Sequence, residues 1–131
     1  MKVFALRLIP DQDLHKSLKQ FVNANQVQAG FMLTAVGSLK QAAIRFANQN
    51  TSQVLEGKFE IISLAGTLSI QGIHLHIALA DQAGQMMGGH LSEGCLIYTT
   101  AEIVIGESKE LRFDRKLDQQ TGFKELTVFH Q

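Results

Sequence analysis

The chain has 131 residues, 45% hydrophobic and 18% charged, with 12 basic and 12 acidic side chains and a formal net charge of zero. This suits one globular domain spanning residues 1–131 and excludes a disordered chain. A protein that coats nucleic acid needs a basic surplus, which is missing here. No apolar run approaches the roughly 20 residues that span a bilayer, and the single cysteine makes the cytoplasm the default location.

The opening "KVFALRLI" alternates and predicts a strand; polar Arg7 interrupts it and no small-residue cleavage site follows, so it does not read as a signal peptide. Pro10, the one proline, separates this strand from a helix over residues 11–25. Asp11 is the expected N-cap, with Asp13 favouring the positive helix end. Leu14, Leu18, Phe21 and Val22 form its apolar stripe, and Asn25, which tolerates the left-handed conformation, stops it. The remainder predicts strands at about 28–37, 40–47, 54–70, 73–80, 94–105, 110–115 and 125–129. The stretch 54–70 is too long to run straight, and Gly37 and Gly66 mark bulges or close backbone approach. The fold class is therefore α+β: a mainly antiparallel sheet packed with one N-terminal helix.

The chemistry concentrates in "HLHIALADQAGQMMGGHLSEG". Alternation puts Ile73, Leu75, Ile77 and Leu79 on a core face and His74 and His76 together on the other, among Gly72, Ala78 and Ala80. His90 follows Gly88 and Gly89, whose conformational freedom would let a loop swing it back to the other two. Three neutral imidazoles with one open position form a known zinc arrangement. The alternative is a pair of strand histidines bonded within an interface, with His90 capping a loop. Glu93, three residues on, reads as a ligand, a ligand's partner, a general base or a solvated loop carboxylate. Asp81 reads as a turn residue, and Met86 and Met87 as loop anchors in the core.

Two further stretches stand out. In "EGKFEIISLAGTLS", alternation places Glu60 beside Ile62 and Leu64, either buried against Arg7, Arg45 or another subunit, or at an edge in water. In "GCLIYTTAEIVIG", Tyr98, Thr100 and Glu102 share a face that would line a pocket or a subunit contact, and Cys95 reads as a buried structural thiol. Surface positions explain His15 and His130. The commonest nucleotide, zinc-ribbon and hydrolase motifs are missing.

Taken in order, "RLIPDQDLHKSLKQF", "AVGSL", "GKFEIISLAGTLS", "HLHIALAD", "GGHLSEGC", "TTAEIVI" and "FDRKLDQQTGFKEL" cover almost the whole chain. On these segments it resembles the PPC (plants and prokaryotes conserved) domain family, of the stand-alone prokaryotic type, related to the domain of plant AT-hook nuclear proteins. The resemblance implies a homotrimer. It implies that Gly57, Lys58, Phe59, Glu60, Ile61 and Ile62 match the segment with which plant members contact partner proteins. It also implies that His74, His76 and His90 are metal ligands, zinc leading, with copper or nickel compatible with imidazole donors. The R-G-R-P core of the AT-hook is missing, so DNA binding is not carried over with the resemblance, and neither is any catalytic activity. Three readings follow: a trimeric binding or scaffold module with a histidine metal site and a possible protein partner, a DNA-binding or transcription-associated regulator, and a zinc-dependent enzyme that activates water at the histidine cluster with help from Glu93.

Overall fold

Strand alternation in this chain is interrupted at a few positions, and those interruptions shape the sheet. The computed structural model describes Met1–Gln131. In chain order the elements are β1 (Lys2–Leu8), α1 (Leu14–Ala24), β2 (Gly30–Arg45), β3 (Gln53–Ser69), β4 (Gly72–Ala80), β5 (Met86–Leu91), β6 (Leu96–Glu107), β7 (Leu111–Leu117) and β8 (Lys124–His130). Six strands make one antiparallel sheet in the order β1-β6-β2-β3-β4-β5, and β7 and β8 pair separately as a hairpin. The α+β class and the single N-terminal helix are as expected. No helix is long and apolar enough to cross a membrane.

The helix forms where its stripe predicts, burying Leu14, Leu18 and Val22. Its N-cap is Asp13, not Asp11. Asp13 Oδ1 accepts from the Lys16 N–H at 3.0 Å, and Oδ2 accepts from the Gly94 N–H at 2.7 Å, tying the helix start to the turn before β6. Asp11 instead takes a positive φ of 75° and pairs with Lys40. Asn25 is the C-cap, but the left-handed residue is its successor Gln26, with φ 51°.

The two strands expected over 28–37 and 40–47 are one strand, β2, whose ladders on both sides shift register between Leu39 and Gln41. β3 carries a second irregularity, between Ile61 and Ser63 in its pairing with β4. A one-residue slip moves every later side chain to the opposite face. Leu64 is therefore buried, while Glu60 and Ile62 are exposed. Alternation alone had set those three side by side, and neither Arg7 nor Arg45 pairs with Glu60: Arg7 bonds Thr100 and the Thr99 carbonyl, and Arg45 bonds the Gln49 carbonyl.

Residues 86–91, expected as a loop, are the strand β5, and Met86 is 60% exposed rather than a core anchor. β5 pairs with β4 along one edge and with the end of β2, Ile44 and Arg45, along the other. The sheet must curl for β5 to reach back that far. Its concave side holds the core, where Leu39, Ile44, Leu75, Ile77, Leu79 and Leu91 are all essentially inaccessible. Each such side chain contributes roughly 1.5–3 kcal/mol by leaving water. The histidine strand thus has its aliphatic face locked into the core and its other face outward.

Candidate metal centre

Register, not loop flexibility, assembles the histidines. On β4, Leu75, Ile77 and Leu79 are buried, which forces His74 and His76 to the outer face. On β5, Leu91 is buried opposite Ile44, so His90 also points outward, and it lies directly opposite His76. Directly opposed residues project from the same side of a sheet with Cβ atoms about 5 Å apart. Gly88 and Gly89 serve this pairing through their lack of a side chain. A Cβ on Gly88 would lie 2.6 Å from the Ile77 carbonyl oxygen, and one on Gly89 would lie 2.7 Å from that of Arg45. The glycines let β5 sit tightly between β4 and β2.

The three rings form a triangle. Centroid separations are 5.2 Å for His74–His76, 5.4 Å for His74–His90 and 6.0 Å for His76–His90. One nitrogen from each lies within 4.8 Å of the other two. Tetrahedral zinc, with bonds near 2.0–2.1 Å, needs its nitrogens about 3.4 Å apart. The donor set suits a transition metal, and the nitrogens already lie close to that spacing. A further sign is that His90 Nδ1 is buried without a hydrogen-bond partner. His74 and His76 are exposed, so the outward side of the triangle stays open.

Burial and neighbouring positive charge favour the neutral form of His74 and His90, the form that ligates metal. Burial, then the charge of Arg45, pushes His90 down to about 4. Burial, then Arg115, lowers His74. Both folded-state values lie below the ordinary 6.5, so between about pH 4 and 6.5 the unfolded chain binds more protons than the folded one. Metal-free protein is expected to lose stability as pH falls from 6.5 toward 4. Urea midpoints in chelator at pH 7 and pH 4.5 check this: His90→Gln should show a smaller drop than wild type, and an equal drop would contradict it.

Two arginines that sequence reasoning did not connect with this site flank it. Arg45 lies directly opposite His90. Arg115, from β7, donates from Nη2 to Thr67 Oγ1 at 2.8 Å, and Thr67 lies directly opposite His74. Strand pairing brings Arg45 to the site and a tertiary side-chain contact brings Arg115, so no local motif carries the signal.

The other expected positions are dispersed. Glu93 is exposed in the turn after β5 and is not brought into the histidine group. In 57–62, Phe59 and Ile61 are buried while Lys58, Glu60 and Ile62 face outward. Lys58, Phe59 and Glu60 help line a cleft of about 240 Å³ with Ser38, Tyr98 and Thr99. Lys58 Nζ lies 4.4 Å from the Tyr98 ring centre. The polar row on β6 divides: Tyr98 lines that cleft, Thr100 Oγ1 accepts from Arg7 Nε at 2.9 Å, and Glu102 is exposed opposite Arg7. Cys95 is fully buried, and burial pushes its thiol up to about 11, as suits a structural residue. His130 is exposed, whereas His15 is half-buried with Nδ1 shielded and unpartnered.

Comparison with known proteins identifies the fold. The model of the Plants and Prokaryotes Conserved (PCC) domain matches residues 1–109. A solved structure of a hypothetical protein from Salmonella enterica superposes with a TM-score of 0.97 at 42% identity, over 99% of this chain and 94% of that one. A structure described as a metal-containing protein from Archaeoglobus fulgidus superposes with a TM-score of 0.82 at 27% identity, over 97% and 94% of the two chains. Among curated proteins, a bifunctional protein GlmU from a Synechococcus strain is 50% identical over 98% of this chain, which spans 21% of that protein.

Proposed function

The chain belongs to the Plants and Prokaryotes Conserved domain family, and on that premise we propose that it is a self-associating binding module that holds one transition-metal ion, zinc first, on His74, His76 and His90. The observation that carries the reading is the register-fixed triangle of imidazoles on two adjacent strands. Rigid strands hold metal ligands more tightly than loops do. The likeness to an Archaeoglobus protein described as metal-containing supports it.

Trimeric assembly is the second part of the proposal, in keeping with the family resemblance. Val36, Ile62 and Tyr98 are exposed on the main sheet, and Leu117, Phe123 and Val128 on the hairpin, each more than 40% accessible. Exposed apolar side chains on both the sheet and the hairpin are compatible with burial against a second copy of the chain. The segment 57–62 and its cleft form a candidate surface for a further protein partner.

The test is metal analysis and sedimentation of protein purified without an affinity tag. One equivalent of metal per chain and a trimer at micromolar concentration are expected. Absence of stoichiometric metal, together with no binding on titration with zinc, copper or nickel, would remove the metal centre. A monomer would remove the assembly.

A zinc-dependent hydrolytic role is a second reading, favoured by the open outward side of the triangle. A closed structural zinc site uses four protein ligands, whereas a catalytic one uses three.

A further inference from the structure

Three imidazoles are flanked here by two guanidinium groups that form no ion pair. Arg45 stands beside His90 across the β2–β5 ladder, and Arg115 reaches the opposite end of the triangle through Thr67, the cross-strand neighbour of His74. The chain's one ion pair joins Lys40 to Asp11 and involves neither arginine. Glu125 on β8 is the acidic group whose charge is felt at His74, and it forms no ion pair with Arg115. Each guanidinium has five N–H donors. Arg45 uses one, to the Gln49 carbonyl at 3.2 Å, and Arg115 one, to Thr67. Most of their donors are therefore unspent within the chain, and both charges are felt at the histidines.

We propose that this face binds a small oxyanion, a carboxylate or phosphate group, between the metal's open side and the guanidinium groups of Arg45 and Arg115. The inference rests on the metal reading above. A divalent ion on three imidazoles beside two arginines concentrates positive charge that outweighs the one acidic group, Glu125, felt at His74. Such a centre favours an anion in its open position, because like charges packed within a few ångströms repel strongly. Guanidinium is suited to the task, since its planar fork matches two oxygens of a carboxylate or phosphate. The floor of the face gives room: Ala65 lies opposite His76, and Ala78 opposite Gly88. The ligand class is thus a small acid or phosphate ester that meets the metal through oxygen.

The arginines differ from the imidazoles in the sign of their effect on the metal. Near a cation, Arg45 and Arg115 oppose metal binding and favour anion binding. Removing either should leave metal affinity unchanged or raise it, while anion affinity falls. Damage to the fold would weaken both.

Cobalt(II) as the probe metal makes both affinities visible, because its absorption bands respond to coordination number. Protein loaded with one equivalent of cobalt would be titrated with oxalate and, separately, inorganic phosphate, with chloride at matched ionic strength as control. A saturable spectral change is expected with at least one of the two oxyanions and not with chloride. Whichever binds more tightly assigns the carboxylate or phosphate source. In Arg45→Gln and Arg115→Gln, oxyanion affinity should fall about tenfold each, with cobalt affinity equal to or above wild type. Unaltered bands with both oxyanions would overturn the proposal, as would equal affinities in wild type and the double variant. Failure of cobalt to bind at all would overturn the metal reading first, and the anion site with it; cobalt binding without an oxyanion response would sink the anion site alone.

Discussion

His76→Ala is expected to lower metal affinity by at least about a hundredfold while leaving the fold intact. The lower bound comes from comparison: residues that merely orient a ligand change affinity by about 10–100-fold, and a ligand itself counts for more. His76 is the informative choice among the three because it lies opposite His90 and is two residues from His74 on the same strand face. Its side chain is exposed, so truncation opens no core cavity, and such surface changes stay within about 0.5 kcal/mol. Titration with zinc against a chromophoric chelator measures the loss, and thermal denaturation in chelator measures stability. His130→Ala, at an exposed position outside the group, serves as control and should bind as wild type does. If His76→Ala keeps one tightly bound equivalent, the three imidazoles are not the metal centre. If metal is lost while sedimentation is unchanged, the site and the assembly are independent.

Local pattern made part of this site readable. The alternation of β4 is unbroken, so the shared outward face of His74 and His76 follows from residue order alone. The helix stripe is equally plain, since Leu14, Leu18 and Val22 recur at helical spacing and all three are buried. The segment "MMGGHL" gave no such signal. Its two glycines depress strand propensity, and its strand character comes from pairing on both edges, with β4 and with β2. His90 is therefore brought beside His74 and His76 by a ladder, not by the swinging loop that the two glycines suggest. Glu60 shows the complementary failure. Alternation predicts its neighbours only until the irregularity at Ile61–Ser63 changes the phase. Asp11 and Asp13 are both sound N-cap residues, and what decides between them is Asp13's second bond to Gly94, a contact 81 residues away. Arg45 and Arg115 lay beyond any local reading for the same reason.

Gly66→Ala should be strongly destabilising, and it should act on the metal centre through the backbone. Gly66 has φ +145°, a conformation L-residues rarely adopt, and lies opposite Leu75 in the β3–β4 ladder. A Cβ there would stand 2.0 Å from the His74 carbonyl oxygen and 3.0 Å from the Leu75 Cα. Both obstacles are backbone, so no rotamer change relieves them. Either β3 and β4 separate at this point or the residue moves to another conformation. Each outcome breaks ladder bonds beside His74, whose neighbour Leu75 is locked into the core. Overpacking costs about 1–3 kcal/mol and unfavourable backbone a similar amount, so a loss of about 3 kcal/mol or more is expected. Urea denaturation in chelator would measure it. A second outcome distinguishes this from general destabilisation. Because the clash falls at His74 itself, folded Gly66→Ala should bind zinc more weakly than wild type. Leu18→Ala, a comparably destabilising cavity in the helix stripe, should keep its affinity under conditions where both remain folded. Equal zinc affinity in the two variants would show that the spacing of the imidazoles does not depend on the close approach of β3 to β4.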